Sequence, residues 1–378
     1  MKIRDFGVEM WMNAYENDCR WNLAETCVHS MTVGELLELS GKGEEVLREL
    51  SDTRLTYGEI EGSLRLRRGI AGLYRAMGPE NITVTNGAIG ANALTMLTLV
   101  EPGDRVISVL PTYQQHYSIP ESIGARVDIL RLREENGWLP DPDELRRLVR
   151  EAGGRVRMIN INNPNNPTGS VMGEGLLREI VEIAREAGAW LLCDEVYRGL
   201  THQGDPYGPS VADLYEKGIS TGSMSKVYSL AGLRLGWIAG SGEQGELRER
   251  LNRQRDYHII SVGRLDDLLA AVALESREAI SRRNLAICRE NAAILEDFVQ
   301  SQPRISYVKP QGGTTAFLKY HLPMASADLC RKLQAETGVM LLPGSALDVE
   351  GYLRIGYCNA TPVLREGLEV FGAWLNRQ

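Results

Sequence analysis

Short unbroken apolar runs mark the middle of the chain: RVISVL (105–110), RVRMININ (155–162), AWLLCDEV (189–196) and GLRLGWIAG (232–240). They are unbroken enough to predict strands covered on both faces rather than ones with a wet side. Between them the period lengthens to that of a helix. EGLLREIVEIAREAG puts Leu177, Ile180, Val181 and Ala184 on one stripe and ends on the stop signal Gly188. SLRLRRGIAGLYRAMG aligns Leu66, Ile70, Leu73, Tyr74 and Met77 in the same way. Strands alternating with helices predict an α/β fold, a mainly parallel sheet covered by helices on both faces.

After about residue 265 the pattern changes. A charged, helix-permissive stretch (about 266–301) leads into ISYVKPQGGTTAFLKYH, two strand-like pieces around a glycine pair. A helix, the strand YLRIGYC and a C-terminal helix follow. A chain of 378 residues exceeds one ordinary core. The expected division is a large domain over 50–275 and a smaller α+β domain built from 1–49 and 276–378, joined by a long helix. Thr32 and Glu35 have the spacing of a capping box. The first 49 residues, too few to fold alone, are expected to pack on the smaller domain or across a dimer interface.

Composition narrows the function classes. The net charge is −8 with no basic block, which argues against nucleic acid as a partner. No apolar run is long enough for a membrane span, and MKIRDFGVEMW lacks the apolar segment of a secretory leader. The expected location is therefore cytoplasmic. Six scattered cysteines form no C-x-x-C pair and five histidines no metal-binding spacing, so reduced buried thiols and no metal are expected.

Four stretches carry chemistry. In SMSKVYSLAGLRLGW (223–237), Lys226 follows small hydroxylated residues and precedes an apolar run. Desolvation and nearby cations would lower its pKa and make it a usable amine nucleophile. Ser223 and Arg234 suit a phosphate, as hydroxyl donor and two-pronged clamp. In AWLLCDEVYRG, Asp194 and Glu195 end an apolar strand, where a carboxylate needs a partner such as a pyridinium nitrogen, and Tyr197 offers a phenol nearby. In NNPNNPTG (162–169), two X-Pro steps and a glycine fix a turn that aims Asn166. In TVTNGAIGANALTM, a strand runs into Gly87 and a helix starting near Gly90, so the N–H groups of Ala88 and Ile89 form an anion site. Its spacing matches neither the dinucleotide fingerprint nor a Walker loop.

Together, in this order and from about residue 53 to 376, these stretches resemble the fold-type I pyridoxal-5′-phosphate enzymes of the class I/II aminotransferase group. The resemblance implies that Lys226 forms the internal aldimine and that Asp194 pairs with the pyridine nitrogen. It implies that Tyr197 and Asn166 hydrogen-bond the 3′-oxygen, and that Ser223, Arg234 and the N–H groups of Ala88 and Ile89 hold the phosphate. Tyr113 in PTYQQHY matches the aromatic that stacks on the cofactor. Tyr57 in LTYGEIEGSLRLR matches the tyrosine that reaches the partner subunit's phosphate, which implies a homodimer. Arg354 in YLRIGY matches the clamp on the substrate α-carboxylate.

Two departures leave the substrate side chain open. Many relatives carry a glycine-proline element where this chain reads WNLAETCVHS, with Glu25 and Thr26 in that place. A carboxylate there suits a cationic substrate side chain. YHIISVGRLDD (257–267) lacks the usual small polar run and is expected at the subunit interface, with His258 and Arg264 within reach of the partner's pocket; Arg264 there suits the opposite substrate charge. The implied activity is transfer of an amino group between an L-α-amino acid and a 2-oxo acid. A C–S β-lyase on the same fold is the first alternative, although DEVY stands where those relatives show an acidic pair followed by Ile-His. An amino-acid oxidase, cyclase or racemase is the next. A DNA-binding regulator on this fold would need a basic N-terminal module, which residues 1–49 do not supply.

Overall fold

The computed structural model describes residues 2–153, 155–242 and 245–378. In chain order the strands are β1 (Trp21–Asn22), β2 (Ile82–Thr85), β3 (Arg105–Leu110), β4 (Arg126–Arg131), β5 (Met158–Asn162), β6 (Trp190–Asp194), β7 (Gly218–Ser223), β8 (Gly236–Ala239), β9 (Ile305–Tyr307), β10 (Thr315–Tyr320), β11 (Val339–Met340), β12 (Leu342–Pro343) and β13 (Tyr352–Gly356). Seven form one sheet in the order β2-β8-β7-β6-β5-β3-β4. The run from β7 to β4 is parallel, and β8 lies antiparallel between β7 and β2. Every residue of β5, β6 and β7 is buried, as two-sided helical cover requires. The helix Glu174–Glu186 buries the expected stripe, and Gly188 turns the chain with φ 64°.

Four boundaries differ from the sequence reading, each for a local reason. β8 starts only at Gly236, because Ala231–Leu233 forms a single 3-10 turn and Arg234 adopts φ 49°. The helix expected to reach Met77 spans Leu64–Ala71. Gly72 ends it, and the N–H groups of Arg75 and Ala76 donate to Asp213 Oδ1 at 3.0 and 2.8 Å, drawing the chain off the axis. The joining helix is two helices, Arg264–Glu275 and Arg277–Ser301, which break at Ser276 (φ −103°, ψ 16°). The helix expected near Gly90 begins at Gly87.

β9, β10, β12 and β13 make a second, antiparallel sheet in the order β12-β13-β10-β9. β13 lies inside it, so Arg354 faces Phe317 on one neighbour and Leu342 on the other. The N-terminal segment packs here: β1 pairs parallel with β11, and the Trp11 indole donates to Leu341 O at 3.0 Å. The helix Gly7–Tyr15 approaches so closely that a Cβ at Gly7 would lie 2.8 Å from Ala346 O. Thr32 and Glu35 do form a capping box, on the helix Val33–Ser40.

Candidate active site

β5 ends at Asn162, β6 at Asp194 and β7 at Ser223, three neighbours at the carboxyl edge of the parallel strands. Ligands of open α/β sheets bind at that edge. The three strand ends open on a cavity of ≈ 310 Å³, whose wall also carries Glu25, Ala88, Ile89, Tyr113, Asn166, Tyr197, Lys226, Arg234 and Arg354. Of the residues expected from sequence to hold the cofactor or clamp the substrate carboxylate, Tyr57 lies elsewhere, 73% exposed.

Asp194 is 5% exposed and held from several sides. Its Oδ2 accepts from Asn92 Nδ2 at 2.8 Å and lies 3.4 Å from His116 Nε2, and its Oδ1 accepts from the Val196 N–H at 3.1 Å. Thr221 Oγ1 donates to Asn92 Oδ1 at 2.7 Å and fixes the amide's orientation. His116 is fully buried, and neither ring nitrogen has a hydrogen bond among the described residues. Asn92, His116 and Thr221 were not singled out from sequence. Glu195, beside Asp194, belongs to the scaffold: it accepts from Ser220 Oγ (2.7 Å) and the Val211 N–H (3.0 Å).

Lys226 Nζ donates to Thr26 Oγ1 at 2.7 Å and lies 3.3 Å from Cys27 Sγ. The sequence reading had desolvation and nearby cations lowering its pKa. Burial does push it down, but Cys27, Tyr197 and Glu25 outweigh burial and the net direction is up. Burial in turn pushes the Cys27 thiol up, and it pushes the Tyr197 phenol up against Lys226, Arg354 and a hydrogen bond with Thr26. Both are therefore neutral near pH 7, which leaves Glu25 as the facing anion. Burial pushes Glu25 up, but Lys226 and the N–H groups of Thr26 and Cys27 (2.8 and 3.0 Å) more than offset it.

Elsewhere in the cavity wall the start of the helix Gly87–Leu99 faces the Arg234 guanidinium. Gly87 has φ 69°, and a Cβ there would sit 3.0 Å from Arg234 Nη2, filling the gap between the helix N-terminus and the guanidinium. A Cβ at Gly236 would lie 2.6 Å from Ala88 N, so β8 runs directly against that turn. Arg234 Nη1 is tied to Ala231 O at 2.9 Å, and Ser223 Oγ accepts from the Ser225 N–H at 3.2 Å. A helix N-terminus, a guanidinium, an amine and a buried carboxylate share one cavity. That donor set fits pyridoxal phosphate, with its phosphate, aldehyde and ring nitrogen.

Arg354 is 2% exposed. It donates to Asn166 Oδ1 (3.3 Å) and Ala24 O (3.0 Å), and its Nε has no partner. Among the described residues no carboxylate lies within ion-pair distance of it. Burial lowers its pKa, opposed by the fields of Tyr197, Glu25, Tyr113 and Glu9. A carboxylate ligand would relieve that cost through two parallel hydrogen bonds, which a lysine cannot reproduce. Arg354→Lys is expected to lower kcat/KM for amino acids roughly 30- to several-thousand-fold, the equivalent of about 2–5 kcal/mol. The bound cofactor's spectrum should stay unchanged. Full activity in this variant would remove the clamp.

Tyr113 donates to Glu9 Oε1 at 2.6 Å and packs its ring on Phe6. Glu9 belongs to the helix Gly7–Tyr15, whose Val8, Glu9 and Met12, with Glu16 at its end, also line the cavity. That wall was not foreseen. Its signal in the sequence was the i, i+4, i+8 spacing of Val8, Met12 and Glu16. His258 and Arg264 are exposed and lie outside the cavity of this chain.

The family model "Aminotransferase class I and II" matches residues 28–370. Capreomycidine synthase of Streptomyces vinaceus is 32% identical over 363 residues, 96% of this chain and 91% of that protein. Aspartate aminotransferase of Pyrococcus horikoshii is 27% identical over 333 residues, 86% and 84% of the two chains. The crystal structure of a PLP-dependent aminotransferase from Streptococcus suis superposes with a TM-score of 0.95 at 44% identity, covering 100% of this chain and 99% of that one.

Proposed function

We propose that this chain, which belongs to the class I and II aminotransferase family, moves the amino group of an L-α-amino acid to a 2-oxo acid. Members of the family use pyridoxal 5′-phosphate. The observation that carries the reading is that Lys226, Asp194 and Arg354, from three separate elements, face one cavity. When bound, the cofactor supplies an electron sink for charge that develops at the substrate Cα. Asp194 holds a proton on the ring nitrogen, with its carboxylate oriented by Asn92 and Val196. Lys226 Nζ would move the proton at the substrate Cα, its amine steered by Thr26 Oγ1. Arg354 pairs with the α-carboxylate and sets which bond to Cα stands over the ring. Ser223, Arg234 and the N–H groups of Ala88 and Ile89 bind the phosphate. Asn166 and Tyr197 hold the ring oxygen, and Tyr113 covers the ring.

The reading includes a cytoplasmic homodimer. Five of the six free cysteines are buried, which suits a reducing compartment. Tyr57 stands 73% exposed on the single chain, free to reach the phosphate of a second copy.

A second reading, in which the same Cα proton is lost but the β-substituent leaves or the product closes on itself, is favoured by the 32% identity to capreomycidine synthase. Incubating the holoenzyme with a ¹⁵N-labelled amino acid and unlabelled 2-oxo acids separates the two. Transfer predicts label in a new amino acid and turnover that requires the acceptor. Consumption without an acceptor, with the label released as ammonium or kept in a cyclic product, would replace transfer by the second reading.

A further inference from the structure

Once the roles above are assigned, the charges around the cavity do not balance. Arg234 is committed to the phosphate, Lys226 to the aldehyde and Asp194 to the ring nitrogen. What remains is one cation, Arg354, against three carboxylates, Glu9, Glu16 and Glu25. A substrate α-carboxylate adds another negative charge and takes up Arg354. Clustered like charges raise the potential in a partly enclosed site, and an opposite charge on the ligand relieves them.

The acids are not scattered along the rim. Glu9 and Glu16 lie on one face of the helix Gly7–Tyr15 and its end, about 10 Å apart at 1.5 Å per residue. Met12, 9% exposed, lies between them, and Val8, 3% exposed, lines the same cavity one residue before Glu9. Glu16 sits at the helix C-cap, where the helix dipole disfavours an anion, and no basic residue in the last turn compensates it. An apolar strip flanked by carboxylates suits a methylene stem that ends in a positive charge. The ligand's other end is marked independently by Arg354, 2% exposed and with its Nε unpartnered in the same cavity. Glu25 faces Lys226 and lies below its ordinary carboxylate range, so its charge is present at neutral pH.

We infer that the face formed by Glu9, Met12 and Glu16, together with Glu25, is the side-chain subsite, and that it takes an amino acid whose side chain carries an ammonium or guanidinium on a flexible stem. The inference rests on the aminotransferase reading and adds the substrate class to it.

The test titrates the holoenzyme with L-ornithine, L-arginine, L-norvaline and L-glutamate, following the absorbance of the bound cofactor and then steady-state KM. L-norvaline matches the ornithine stem without its charge. L-ornithine or L-arginine is expected to saturate at least about 10-fold lower than L-norvaline, with L-glutamate weakest, for a partly desolvated ion pair. Glu16→Gln should raise KM for the cationic amino acid several-fold and leave that for L-norvaline nearly unchanged. Equal saturation by L-ornithine, L-norvaline and L-glutamate, or an equal KM change for all in that variant, overturns the subsite alone. No absorbance response to any amino acid overturns the aminotransferase reading and the subsite with it.

Discussion

Lys226→Ala is expected to reduce amino-group transfer by at least about 10³-fold, the largest loss from any single substitution in the cavity. One side chain is assigned two tasks there, covalent attachment of the cofactor and movement of the Cα proton, and the second alone is typically worth 10²–10⁴-fold. No neighbour substitutes for it. Thr26 Oγ1, 2.7 Å from Nζ, is a hydroxyl, and burial keeps the Cys27 thiol and the Tyr197 phenol neutral. The decisive measurement is independent of turnover. Borohydride reduction of the wild-type holoenzyme followed by peptide mapping should find the pyridoxyl adduct on Lys226, and the alanine variant should give no adduct. An adduct on any other lysine would move the catalytic assignment to that residue.

The parts of this molecule that were legible in the sequence are those whose information is local. β3, β5 and β6 lie within the apolar runs that announced them, because a strand covered on both faces buries nearly every position and is therefore mostly apolar. Gly188, Thr32 and Glu35 act at the ends of their own helices, where capping chemistry is decided within four residues. Lys226, Asp194 and Arg354 stood out because each is a charged residue inside or beside an apolar stretch, where it needs a reason to be. The missed residues act over distance. Asn92 reaches Asp194 across 102 positions, and Glu9 reaches Tyr113 across 104. Periodicity says that one face of a helix is covered, but not by what. The same limit produced the wrong sign for Lys226. Its own stretch shows small and apolar neighbours, which push the amine down, whereas Glu25, the facing anion, arrives from the N-terminal segment and pushes it up.

Asp194→Asn should keep much of the cofactor and lose about 10²–10³-fold in kcat, because it weakens the electron sink without dismantling the cavity. The change is nearly isosteric, and the phosphate cradle of Ser223, Arg234 and the helix beginning at Gly87 lies on other elements. What is lost is the negative charge facing the ring nitrogen. Two to three pKa units of lost stabilisation of that proton, at about 1.4 kcal/mol per unit, raise the barrier by the same amount and give this range. The surroundings sharpen the expectation. Oδ2 is met by the Asn92 amide, itself fixed by Thr221, so an asparagine that keeps that hydrogen bond turns its oxygen to Asn92 and its NH₂ toward the Val196 N–H. That NH₂ then meets a donor where Oδ1 had an acceptor's place, which adds a modest loss of stability of about 1–3 kcal/mol. Two measurements separate the effects. Thermal unfolding of the holoenzyme reports the hydrogen-bond mismatch. The pH dependence of the bound cofactor's absorbance reports the ring-nitrogen proton, and its midpoint should shift to lower pH in the variant. An unshifted midpoint with near-wild-type kcat would show that Asp194 does not hold that proton. A loss of stability alone would reduce it to part of the scaffold that Glu195 already serves.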